Sequence, residues 1–127
     1  MEDDPLFRRT RQHAERRLTF GATQSTKERL DQIKEFLRLE KEMLYRYHQK
    51  GDSGLRLTRA RSVIMDVLIQ CLYNWALQVA QESMGRVKSM SILATGGYGR
   101  GELSPLSDID LMFLYPRSSV GKSLENL

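Results

Sequence analysis

Between Thr58 and Ser83 polar side chains stand at every fourth position, Ser62, Asp66, Gln70, Asn74, Gln78 and Glu82, and nearly everything between them is apolar. A helix turns through about 100° per residue, so a four-residue repeat drifts about 40° each step and the polar stripe winds slowly round an apolar rod. Such a rod needs neighbours on several sides. Thr58 has the chemistry of its N-terminal cap, and Gly85 that of its stop. Asp66, Gln70 and Asn74 interrupt the most apolar part, Val63 to Ala80, so a membrane-spanning helix is not expected there.

The flanking sequence supplies few neighbours. Ser25-Thr26-Lys27-Glu28 has the spacing of a capping box, after which Leu30, Ile33, Phe36, Leu37, Leu44 and Tyr47 recur on one side of a helix that Lys50-Gly51 ends. Gly51 to Leu57 reads as a connector. Met1 to Gln24 shows no helical or strand period and is expected to be a mobile leader. Downstream, the apolar run Met90 to Thr95 ends in Gly96-Gly97, Tyr98 to Ser107 is turn-rich, and Asp108 to Tyr115 alternates as a strand does. The link is too short for a parallel crossover, so the strands should pair antiparallel with Gly97 and Asp108 at one end. The fold class is therefore α+β, divided into a leader (1–24), a helical lead-in (25–85) and a partial core (86–127). One amphipathic helix and two strands hardly cover the rod, so the sheet is expected to be incomplete on its C-terminal side.

With 40% hydrophobic and 28% charged residues the chain reads as one soluble domain, and its net charge of +4 is too diffuse to suggest a nucleic-acid partner. Cys71 is the single cysteine, set in an apolar helical pattern that suits a small buried side chain better than a nucleophile. The acidic start, with no apolar core after it, does not read as a secretory signal. These features together suggest a cytoplasmic protein with no membrane partner.

The chemistry concentrates after the rod. In Asp108-Ile109-Asp110-Leu111 the carboxylates alternate with apolar residues, so on a strand both point to one face. Two acids on one face repel unless a cation lies between them, and hard oxygen ligands suit magnesium or manganese. Alone, Asp-x-Asp fits two solvated acids at a strand end equally well. The upstream pair Gly96-Gly97 adds a turn where bare backbone can approach a phosphate. A phosphate cradle beside a metal pair is the front of a nucleotidyl-transfer site, in which cations stabilise the attacking and leaving oxygens. His13 and His48 are isolated and have no metal-ligand spacing.

The stretch from Gly96 to Leu111 resembles the signature of the polymerase-beta-type nucleotidyltransferase superfamily. The string GGYGRGELSPLSDIDL, with the preceding LTRARSVIMDVLIQCLYNW, is similar to the bacterial protein-PII uridylyltransferase and uridylyl-removing family, over roughly Ser25 to Tyr115. That resemblance implies a mixed sheet of which these are the first two strands, UTP as donor, and a tyrosine of the nitrogen-signalling protein PII as acceptor. Asp108 and Asp110 would bind magnesium as the catalytic carboxylates, and Gly96 and Gly97 would hold the triphosphate. Arg100 and Ser107 would assist with phosphate, surface or turn roles serving equally, while Tyr98 and Glu102 would be structural. The family also implies a third metal carboxylate on a later strand. A His-Asp domain for uridylyl removal and further domains through which glutamine regulates the enzyme lie outside this sequence.

Two other readings compete. Gly121-Lys122-Ser123 ends like a Walker A loop, but Pro116 stands where the first glycine belongs. The wide apolar surface of the rod also suits a catalytically incomplete helical interaction module. Within the superfamily, glutamine synthetase, a small molecule or an RNA end would serve as alternative acceptors.

Overall fold

A computed structural model describes residues 3–85 and 90–116. Three helices come first: α1 (Pro5–Arg17), α2 (Thr26–Gln49) and α3 (Gly54–Met84). A two-stranded antiparallel sheet follows, β1 (Ser91–Thr95) and β2 (Asp110–Leu114), with a single helical turn α4 (Gly96–Gly99) directly after β1. The order is α+β, as the sequence indicates.

The expected leader holds a helix. Asp4 caps α1 by accepting from the Leu6 amide at 2.9 Å, and Pro5 occupies its first turn, where a missing N–H costs nothing. Leu6, Phe7, Thr10 and Ala14 are buried on its inner side. The period escapes a reading of the sequence because arginines fill most of the remaining positions and one of the four inward residues is a threonine.

Helix α2 begins with the anticipated capping box: the Ser25 hydroxyl accepts from the Glu28 amide, and the Glu28 carboxylate accepts from that of Ser25. On its inner side Ile33 is buried, and Phe36, Met43 and Leu44 join Leu6, Phe7 and Ala14 of α1 and Ala60, Val63 and Ile64 of α3 around one core. Glu40 falls on the same side and is buried, accepting from the Thr10 hydroxyl at 3.1 Å and meeting His13 Nδ1 at 2.5 Å. These partners satisfy a carboxylate that would otherwise be costly to bury. A second polar clamp joins the helix ends, where Arg56 donates to Asp4 at 2.8 and 2.9 Å and to Asp52 at 2.5 Å.

Helix α3 starts four residues before the expected cap. Ser53 accepts from the Arg56 amide, whereas Thr58 lies inside the helix and donates its hydroxyl to the Leu55 carbonyl. With Ser53 as cap, Gly54 is a tolerable first residue. The buried residues of α3, Ala60, Ser62, Val63, Ile64 and Leu68, all lie in its first half, while Leu72, Val79 and Met84 stand exposed further along. On length and composition the helix would suffice to cross a membrane, its best window having a mean hydropathy of 1.4, so the polar interruptions do not exclude a span on those grounds.

Both strands are shorter than expected. Thr95 pairs with Asp110 and Ser91 with Leu114. Because the chain leaves β1 at Gly96 to form α4, nothing remains opposite Asp108, which lies outside the ladder.

Candidate active site

The site is assembled where β1 turns into α4 and faces the start of β2. Gly96 has φ = 62°, in the left-handed region that glycine enters without the Cβ penalty. A Cβ there would lie 2.8 Å from Asp110 Oδ2, so the carboxylate packs directly on the glycine. Gly99 is required for a different reason: its Cβ would lie 2.7 Å from the Ala94 carbonyl oxygen, where the turn folds back over β1. At Gly97 a Cβ would sit 3.7 Å from Arg100 Nη2, which places the guanidinium beside the turn.

Of the residues singled out from sequence, the fold thus brings together Gly96 with Asp110 and Gly97 with Arg100. Asp108 is exposed and precedes the strand, and Ser107 is exposed with its amide donating to the Ser104 carbonyl at 3.1 Å. Among the described residues no cation pairs with Asp108 or Asp110, and no three His, Cys, Asp or Glu side chains cluster as metal ligands. Glu102 serves the turn through its backbone, donating to the Gly97 carbonyl at 3.0 Å.

The connector between glycines and carboxylates is held to α3. Tyr98 is buried and donates its hydroxyl to Asp66 Oδ1 at 2.6 Å; burial, reinforced by the Asp66 carboxylate, holds its phenol well above the usual range. Leu103 is buried too, its amide donating to Ser62 Oγ at 3.1 Å and the Thr58 carbonyl at 3.2 Å. Arg61 donates to the Pro105 carbonyl at 3.1 Å. Sequence reasoning missed these partnerships, although Ser62 and Asp66 head the four-residue stripe and Arg61 lies beside it.

Other features lie apart from this site. A cleft of about 280 Å³ between α3 and the sheet is lined by Asp66 and Tyr98 as well as Ile92, Ala94 and Leu111, so it borders the connector's anchor but opens on the sheet face opposite Asp110, since neighbouring strand residues point to opposite sides. His13 is engaged with Glu40, and burial pushes the Cys71 thiol up, away from nucleophilic use. The Walker-like segment at Gly121-Lys122-Ser123 falls outside the described residues.

A family model described as glutamate-ammonia ligase adenylyltransferase matches residues 29–126. Among curated proteins, the bifunctional uridylyltransferase/uridylyl-removing enzyme of Rhodospirillum rubrum is 36% identical over 77 residues, 59% of this chain and 8% of that protein. The enzyme of the same name from Vibrio cholerae is 37% identical over 98 residues, 76% of this chain and 10% of the relative. That from Caulobacter vibrioides is 39% identical over 70 residues, 54% of this chain and 7% of the relative. The chain therefore spans a tenth or less of the length of these relatives. No solved structure gives a significant match.

Proposed function

We propose, for a chain that belongs to the glutamate-ammonia ligase adenylyltransferase family, that the intact protein carrying these residues is a metal-dependent nucleotidyltransferase that moves UMP from UTP to a tyrosine of PII. The observation that carries this reading is the packing of Asp110 on Gly96, which puts a carboxylate oxygen against the turn that would receive a triphosphate. Asp108 and Asp110 are exposed, and no described cation neutralises them, so their oxygens suit magnesium or manganese. When bound, the metal supplies charge neutralisation at the reacting phosphate and its neighbouring oxygens.

The remaining work belongs to the chain's own groups. Gly96 and Gly97 leave backbone bare for phosphate to approach, and the guanidinium of Arg100, which lies beside Gly97, would pair with phosphate oxygens. Ser107, three residues before β2, would assist with phosphate on the resemblance alone. By the same resemblance, glutamine regulation and uridylyl removal belong to other domains of the intact protein. PII as partner and the bacterial cytoplasm as location rest on the same resemblance, without a membrane or nucleic-acid partner.

A second reading is favoured by the family description: transfer of AMP from ATP to glutamate-ammonia ligase. The names of the curated relatives favour uridylyl transfer. The intact protein, given α-labelled UTP or ATP with magnesium and either PII or glutamate-ammonia ligase, should label PII from UTP. Label on the ligase from ATP alone would establish the second reading, and label on neither protein would reject both acceptors.

A further inference from the structure

Gly96, Gly97, Gly99 and Gly101 leave Tyr98, Arg100 and their neighbours to fix a segment whose backbone is otherwise free. Within α4 only Tyr98 carries a side chain. Its ring is buried and its hydroxyl donates to Asp66 at 2.6 Å, 32 residues earlier on α3. The turn that packs on Asp110 is thereby pinned at one point to the longest helix, and Ser62 holds the outgoing chain one helical turn away through Leu103.

We propose that Tyr98 and Asp66 are positioning residues for the donor triphosphate, a role that rests on the nucleotidyltransferase reading above. Neither touches the reacting groups. Tyr98 acts through the backbone of Gly97 and Gly99 on either side of it, and Asp66 acts through Tyr98. Losing the hydroxyl or its acceptor would leave the ring buried and the turn folded, yet free to shift relative to Asp110. Asp66 would then have a function that the later members of the stripe, Gln70, Asn74 and Gln78, do not share; all four are exposed, and it is the hydrogen bond from Tyr98 that sets Asp66 apart.

The test uses the intact protein with magnesium, measuring dissociation constants with non-hydrolysable analogues of UTP and ATP, and KM and kcat with UTP or ATP and the acceptor protein, for Tyr98→Phe, Asp66→Ala, Asp66→Asn and the double variant Tyr98→Phe/Asp66→Ala. Loss of a hydrogen bond to a charged group should weaken analogue binding and raise KM about tenfold. Asp66→Asn, which keeps an acceptor oxygen, should recover most of the loss, and the double variant should be no worse than either single one. Wild-type dissociation constants in Tyr98→Phe and Asp66→Ala, with only a lower melting temperature, would overturn the positioning role. Wild-type protein and Asp110→Asn run alongside separate the two claims: no transfer by the wild-type protein would overturn the underlying nucleotidyltransferase reading itself, whereas full transfer by Asp110→Asn would overturn only the placing of the metal at that carboxylate.

Discussion

Replacing Gly96 by alanine perturbs the candidate site at its tightest point. Two costs arise, and they fall on different observables. A φ of 62° costs a residue with a Cβ about 1 kcal/mol relative to glycine. The new Cβ would also lie 2.8 Å from Asp110 Oδ2, and because that carboxylate ends an exposed side chain it should rotate away for about 1 kcal/mol or less. Stability should therefore fall by only about 1–2 kcal/mol. Transfer should fall much further, on the order of 100-fold, because a displacement near 1 Å at a metal ligand forfeits positioning. Gly101→Ala is the control: its φ is 69°, but a Cβ there meets nothing within 4 Å. It should show similar destabilisation and near-normal transfer. The assay pairs thermal unfolding with initial rates of labelled nucleotide transfer in the intact protein. Equal rate losses in both variants, or normal rates in Gly96→Ala, would refute the claim that Asp110 must sit against this glycine.

The Asp4–Arg56 pair predicts a pH-dependent anchorage of α1. Hydrogen bonding from Arg56 lowers the Asp4 carboxyl from 3.8 to about 2, so its stabilisation is present above pH 4 and is lost as pH falls through about 2. The two side chains are 21% and 31% exposed, and after screening the pair should contribute about 1–2 kcal/mol. Asp4→Asn keeps a capping group but loses the charge, so hydrogen-exchange protection of α1 should drop at pH 6 by a margin that narrows towards pH 2; a constant margin would contradict the assignment. The 127-residue chain expressed alone should transfer no nucleotide and should bind a hydrophobic dye and self-associate, because Leu93, Met112, Phe113 and Leu114 are exposed on a two-stranded sheet with open edges. A cooperative melting transition as a monomer would contradict that expectation.

Much of this arrangement was legible because the relevant signals are local. The capping box at Ser25 and Glu28 is a reciprocal contact within one turn, and the short link between Thr95 and Asp110 leaves an antiparallel pairing as the simple solution. Helix α1 was hidden because its inward side is short and includes Thr10, whose hydroxyl makes sense only with Glu40, 30 residues away. Glu40 itself occupies a core-facing position between Phe36 and Met43, and that placement is the one sequence clue that it needs a partner. The strand boundary at Asp110 was likewise not local: it follows from where the partner strand turns away. Gly96 and Asp110 were both chosen from sequence as site residues, but only the fold shows that one packs on the other. The service of Asp66 to Tyr98 required the packing of α3 against the connector, which periodicity alone does not specify.

The central claim is that Asp108 and Asp110 hold the metal for nucleotidyl transfer, and the most direct measurement is transfer by Asp108→Asn and Asp110→Asn in the intact protein across a magnesium titration. Each substitution keeps side-chain size while removing a charge, so folding should be little changed and relief of repulsion between the two acids would offset any local loss. The account predicts that transfer falls by orders of magnitude in both variants and that raising magnesium restores little of it. Near-normal transfer by either variant at the wild-type magnesium requirement would show that these carboxylates are not the metal ligands.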